Sequence, residues 1–218
     1  MVAGDQLAAV LQSATLAPDA DADLMLRFQA GETACFDLLV ARLRRPLLHY
    51  LFRMTGDAAV SEDLAQETFL RVYLARARYR REARFSTWLY RIATRLALNY
   101  LRDHRHLRRA WSLDAPIGDD DEHWELPDRS PNIEARLAAA DQRRAIRRAI
   151  GALPERQRAA VLMHKFQELD YREIGAALRL SSSATKSLLF RAYETLRREL
   201  RALGGNCESS MAAEKEGV

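Results

Sequence analysis

Residues 153–200 read LPERQRAAVLMHKFQELDYREIGAALRLSSSATKSLLFRAYETLRREL, and the spacing within this stretch decides the fold. Leu153-Pro154-Glu155 opens a helix with proline near its first position, where an N–H would have no helical partner anyway. Ala159, Val161, Leu162 and Phe166 give that helix an apolar side, and the pattern breaks at 167–169. Asp170 supplies the next cap, with Glu173 three residues later in capping-box spacing. Ile174, Ala177 and Leu178 form the stripe of a short second helix. Arg179 and Leu180 make a tight turn, and Ser181 or Ser182 caps a third helix reaching about Leu203. Two short helices and a longer one, joined by tight turns, form a helix-turn-helix pattern.

That pattern places chemistry. The early exposed residues of a third helix reach base edges, while its basic residues meet phosphates. Ser183, Lys186, Ser187 and Phe190 are the exposed candidates, and Arg191 and Arg179 are the backbone contacts. The competing description is a three-helix bundle with an arginine-rich solvated surface.

Moving toward the N-terminus, helical spacing continues back through Ile150, Ile146, Ala140 and Leu137 to Ile133. Composition then changes abruptly. Residues 112–132, SLDAPIGDDDEHWELPDRSPN, hold Asp114, Asp119, Asp120, Asp121, Glu122, Glu125 and Asp128 against Arg129, with prolines at 116, 127 and 131. Such a segment cannot bury enough apolar surface to fold alone, and it reads as an acidic, extended, flexible linker over 111–131. Beyond Leu203 the chain turns small and polar, which predicts a flexible tail over 204–218.

Upstream of the linker lies an asymmetry of the opposite sign. Residues 60–109 begin acidic and polar at Glu62, Asp63, Gln66 and Glu67, and from Arg71 to Arg109 carry twelve arginines against only Glu82 and Asp103. Ser61 is the expected cap of the first helix here. Val60, Leu64, Thr68 and Val72 line one face of it, broadened by Phe69 and Tyr73, while Asp63, Gln66, Glu67 and Leu70 recur on another. After a break at YRREARF a regular helix is expected from Ser86 to about Arg105, with Ser86 or Thr87 as cap. Trp88, Leu89, Ile92, Leu96, Asn99 and Tyr100 alternate there with Arg91, Arg95 and Arg102. Aromatics beside arginines can stack on unpaired bases while the arginines hold the backbone. Trp88 fits that role or a core position equally well. The acidic face would repel DNA, so it is either solvated or made for a basic protein surface. Further back, Phe36, Leu39, Leu43, Leu47, Leu51 and Met54 space a helix that Pro46 is expected to kink or restart and Gly56 to stop. Leu24, Leu26 and Phe28 suit a short helix ending near Gly31.

The whole is all-α. With 218 residues, 48% of them hydrophobic, the chain can form one large domain or two small ones. Its net charge of +4 hides a basic first half and an acidic middle, a pattern that suits a polyanion partner. Cys35 and Cys207 make neither a disulfide framework nor a metal spacing. The five histidines lack HExxH or paired-cysteine context, the Asp119–Asp121 run lacks the alternation of a calcium loop, and no glycine-rich phosphate loop is present. No cofactor, metal or catalytic constellation is expected. No apolar run is long enough to enter a membrane, so the expected protein is soluble, cytoplasmic and not an enzyme.

The segments SEDLAQETFLRVY, FSTWLYRIATRLALNYLR and LPERQRAAVLMHKFQELDYREIGAALRLSSSATKSLLFRA, in this order and with an acidic linker between the blocks, resemble bacterial RNA polymerase sigma factors of the extracytoplasmic-function group. The resemblance implies two small helical domains. One, over 20–110, would bind the clamp helices of the polymerase beta-prime subunit and melt the minus-ten promoter element. The other, over 132–203, would read the minus-thirty-five element in duplex DNA and touch the beta flap. It assigns core-polymerase binding to Asp63, Gln66, Glu67 and Leu70. It gives capture of a flipped non-template base to the loop 80–85 and the helix behind it, with Arg80, Arg81, Arg84, Phe85, Trp88, Arg91, Arg95 and Asn99. The linker would thread the RNA exit channel, and an anti-sigma factor would cover the same faces. Two positions depart from the family pattern: SATKSL stands where a GTVKSR-like run is common, and Glu168 replaces a usual turn glycine. The rival function is a helix-turn-helix regulator that binds DNA without polymerase.

Overall fold

The computed structural model describes residues 19–104 and 133–213, with side chains for 19–104 and 142–201. The linker expectation over 111–131 lies outside the described residues. All described regular structure is helical: α1 Ala20–Gln29, α2 Ala34–Thr55, α3 Ala58–Leu74, a 3-10 turn at Arg76–Arg78, α4 Phe85–Asp103, α5 Ile133–Ala152, α6 Glu155–Phe166, α7 Tyr171–Leu178 and α8 Ser182–Ala213.

In the N-terminal half, α2, α3 and α4 pack side by side because each turns one stripe inward. Leu39, Leu47, Leu51 and Met54 of α2 meet Ala65, Phe69 and Val72 of α3 and Leu89, Ala93 and Ala97 of α4. Tyr50 and Tyr90 sit edge to face at 5.1 Å, and the buried Tyr50 hydroxyl bonds the Thr94 hydroxyl at 2.6 Å, so the polar end of the ring is satisfied inside the core. α2 runs unbroken through Pro46, so the expected restart does not occur. It stops at Gly56, whose φ of +75° is the left-handed conformation that ends a helix most cheaply.

Helix starts in this half differ from the sequence expectation. Asp57, not Ser61, caps α3 by accepting from Val60 N–H. Ser61 is buried one turn later, its hydroxyl spent on the Asp57 carbonyl and Thr55. α4 begins at Phe85 after Arg84, which offers no capping side chain, so Ser86 and Thr87 lie inside the helix.

The C-terminal half follows its local grammar. Asp170 accepts from Arg172 and Glu173 N–H, and Glu173 accepts from Asp170 N–H, forming the reciprocal capping box. Ser181 accepts from Ala184 N–H at the start of α8. Both turns contain a left-handed non-glycine residue, Glu168 at φ 52° and Arg179 at φ 54°. Gly175 allows the close approach of α7 to the following turn, since a Cβ there would meet Leu180 O at 2.9 Å. Leu188 packs partly buried against the core, which keeps the phase of α8. The backbone of α8 stays helical to Ala213, past the expected end near Leu203. Glycine weakens a helix interior by about 1 kcal/mol but does not remove a hydrogen bond as proline does, so Gly204 and Gly205 do not stop it.

Candidate nucleic-acid and polymerase interface

Three faces carry the candidate residues. The first is on α3. Asp63, Gln66 and Leu70 are exposed and Glu67 is half-buried, all within three turns of one side. Glu67 pairs with Arg71 at 2.7 Å. Leu70 is 51% exposed and Leu74, one turn on, 68%. An acidic strip therefore runs into an uncovered apolar end. Leu74 was not singled out from sequence, although its spacing of four from Leu70 was the available signal.

The second face is built from the loop 79–84 and α4. Arg80, Arg81, Arg84, Arg91 and Arg95 are exposed, and Asn99 is half-buried. They surround an aromatic cluster: Tyr79 to Trp88 is 5.1 Å between ring centroids, Phe85 to Trp88 5.8 Å and Tyr79 to Phe85 5.8 Å. Trp88 keeps an accessible side. Phe85 does not: it is 0% exposed. It packs inward beneath Tyr79 and Trp88, so the expected surface contact becomes a support for the two rings. Burial, with Asp19 adding negative charge, pushes the Tyr79 hydroxyl up to about 12, so it is neutral at physiological pH.

The third face is on α8. Ser183, Lys186, Ser187, Phe190 and Arg191 are all exposed along one side, and Arg179 is exposed in the turn before it. Phe190 is 68% exposed. Arg191 donates to the Ser187 carbonyl, which lays its side chain along the helix. The opposite side of α8 is fixed by Leu189 and Ala192 in the core. Tyr193 bonds His164 Nδ1 at 2.7 Å, and burial, then Lys165, lowers the affinity of that imidazole for a proton.

The sequence did not anticipate how the halves meet. α7 lies against α4 and closes a cleft of about 530 Å³ over the second face, lined by Arg84, Trp88 and Arg91 on one side and Asp170, Glu173 and Ala176 on the other. The Glu173 carboxylate accepts from the Thr87 hydroxyl at 2.9 Å and stands 3.9 Å from Arg84. Arg158 of α6 is the second link. It is 2% exposed and donates to the Met54 carbonyl at the end of α2, at 2.7 Å, and to the carbonyls of Gly151 and Leu153. Its positive charge sits at the negative end of the α2 dipole. Its spacing of four from Leu162 placed it on a buried stripe, but an arginine there reads from sequence as a surface residue. The α8 part of the third face, by contrast, stays exposed in this arrangement, while Arg179 lines a second cleft together with Arg91, Arg95 and Asn99.

No helix among the described residues is long and apolar enough to cross a membrane.

Comparison with known proteins agrees with this geometry. Residues 39–107 match the family model for sigma-70 region 2, and residues 143–196 match that for sigma-70 region 4. The RNA polymerase sigma-H factor of Pseudomonas aeruginosa is 32% identical over 192 residues, covering 86% of this chain and 97% of that protein. The ECF RNA polymerase sigma-E factor of Escherichia coli K12 is 30% identical over 183 residues, covering 84% and 95%. The fold is similar to that of CnrH in complex with the cytosolic domain of CnrY, with a TM-score of 0.59, 24% identity and 84% of this chain and 98% of that one covered. It is also similar to RpoE bound to the anti-sigma factor NepR from Bartonella quintana, with a TM-score of 0.59, 16% identity and coverage of 76% and 96%. The family that the two models describe is one of non-catalytic transcription initiation factors. The chain is a member of that sigma-70 family, in its extracytoplasmic-function group, and a promoter-specificity subunit of bacterial RNA polymerase.

Proposed function

We propose a division of labour among the three faces, carried out in the cytoplasm and without a reaction catalysed by the chain itself. Asp63, Gln66, Glu67 and Leu70 dock on the clamp helices of the polymerase beta-prime subunit, with Leu74 extending the apolar end of the contact. Arg80, Arg81, Arg84, Arg91, Arg95 and Asn99 hold the separated non-template backbone at the minus-ten element, and Trp88 offers a ring to an unstacked base. Arg179, Ser183, Lys186, Ser187, Phe190 and Arg191 read the minus-thirty-five duplex, with region 132–203 also meeting the beta flap. Region 20–110 is the melting domain, 111–131 the spacer, and 204–218 a tail outside both.

The observation that carries this reading is the aromatic cleft ringed by arginines. A duplex-only regulator has no use for aromatic rings set in a cleft among arginines, whereas a factor that stabilises melted DNA needs rings to stack on and charge to hold the backbone. Elements named minus-thirty-five and minus-ten lie about 25 base pairs apart, about 85 Å at 3.4 Å per base pair. Halves in contact cannot reach both, so the form that initiates has α7 lifted from α4. Glu173 and Asp170 put carboxylates where phosphates would lie, and the closed form is the resting one. An anti-sigma factor, the kind of partner bound to the Bartonella quintana relative, would hold this form.

The docking assignment is tested by combined Asp63→Lys and Glu67→Lys substitution. Affinity for core polymerase in a fluorescence titration is expected to fall about tenfold or more, because two acids facing a basic surface become repulsive. Unchanged affinity would remove α3 from the interface.

A further inference from the structure

We infer that α1, which carries none of the residues assigned to the three faces, is the positioning element for the base-capturing loop and so a determinant of minus-ten specificity. This rests on the functional reading above. Three α1-side groups reach the same short loop. Asp19, the N-cap of α1, accepts from Ala22 N–H with one carboxylate oxygen and from Phe85 N–H with the other, at 3.2 and 2.6 Å. Gln29, at the other end of α1, directs its amide to the carbonyls of Arg76, Ala77 and Tyr79 at 3.0, 3.2 and 3.4 Å. Asp23, between them, pairs with Arg81 at 2.6 Å.

Each contact has a consequence for the cleft. α4 lacks a capping side chain of its own, since Arg84 provides none, so the first N–H of the helix that carries Trp88 and Arg91 is satisfied by Asp19 in trans. One carboxylate therefore caps two helices and fixes the spacing between them. Gln29 ties down the carbonyls of the 3-10 turn and holds the chain as it enters the loop at Tyr79. That tyrosine is the wall against which Trp88 and Phe85 pack. The Asp23–Arg81 pair holds Arg81 at the α1 edge of the loop, where it meets the backbone rather than the base, while Arg80 and Arg84 line the cleft. A pocket that distinguishes bases by shape and edge contacts must hold its walls to within a fraction of an ångström. The loop has no regular structure of its own to do this, and α1 supplies the constraint.

The test uses the full chain reassembled with core polymerase. Asp19→Ala, Asp19→Asn and Gln29→Ala are compared with wild type on fork-junction promoters that are already single-stranded across the minus-ten element, with each of the four bases in turn at the captured position. Core affinity and minus-thirty-five duplex binding are measured in parallel. Asp19→Ala and Gln29→Ala are expected to flatten the preference among the four bases by about tenfold while core and duplex binding stay within about twofold. Asp19→Asn, which keeps a carbonyl acceptor, restores most of the preference. If Asp19→Ala does not fold, Gln29→Ala carries the test, because Gln29 is exposed and caps neither end of its own helix. Unchanged base preference in the variants overturns the inference. So does loss of core, duplex and base binding in equal proportion, which would mark a merely structural role. A wild-type factor that shows no base preference on these templates overturns the functional reading instead.

Discussion

The two halves of the molecule differ in how the helices beside their proposed DNA faces begin. In the C-terminal half the caps of α7 and α8 come from neighbouring residues: Asp170 and Glu173 close on each other across three residues, and Ser181 serves Ala184. In the N-terminal half the helix that carries the proposed melting face is capped by Asp19, sixty-six positions earlier in the chain. The difference suits the roles we propose for the two halves. A helix-turn-helix presents a rigid helix to a duplex of fixed geometry and can be encoded locally. A pocket for a flipped base is made from a loop, and a loop needs distant groups to hold it still.

The largest predicted effect falls where the halves join. Arg158→Met is expected to destabilise the chain by about 3 kcal/mol, because three carbonyls lose a charged donor in a site too buried for water to replace it. Urea titration followed by tryptophan fluorescence measures this, and a loss below about 1 kcal/mol would show that the link between halves is incidental.

The comparison itself is sharpened by a matched pair. Asp19→Ala removes the caps of α1 and α4 together and should cost about 2 kcal/mol, whereas Asp170→Ala removes one cap and should cost about 1 kcal/mol. Equal losses, or a larger one for Asp170, would break the contrast between remote and local capping.

These contrasts also explain what the sequence could show. The capping box, the Ser181 cap, the turn at Arg179 and the buried stripe of α7 are interactions within a few residues, and each was legible as spacing. So were the exposed phases of Lys186, Phe190 and Arg191 and of Asp63, Gln66 and Leu70, because a periodic core fixes the opposite face. Ser61 and Thr87 were misplaced as caps because each hydroxyl is engaged elsewhere, one by the Asp57 carbonyl and one by Glu173. Phe85 was assigned to the surface because an aromatic beside arginines has the same pattern whether its ring points out or in. Arg158, Gln29 and Asp19 were illegible for one reason: their partners lie in other elements, and spacing says nothing about long-range pairs.

The smallest expected effect is a pH dependence in the helix-turn-helix. Burial depresses the His164 proton affinity in the folded chain, so the folded state binds fewer protons than the unfolded one near the usual histidine value. Its contribution is therefore fully present above about pH 6.5 and is lost as pH falls through the lower folded value. A slight fall in Tm between pH 7 and 5, absent in His164→Gln, is expected. A fall of the same size in that variant would assign it to other groups.

The central claim is that one chain reads two promoter elements only together with core polymerase. Transcription reconstituted from core enzyme, this chain and a library of promoter fragments measures it directly. The account predicts initiation confined to fragments that share both a minus-thirty-five and a minus-ten sequence, and no melting of those fragments by the chain alone. Specific duplex binding by the chain alone, with no promoter-selective initiation when core polymerase is added, would contradict it.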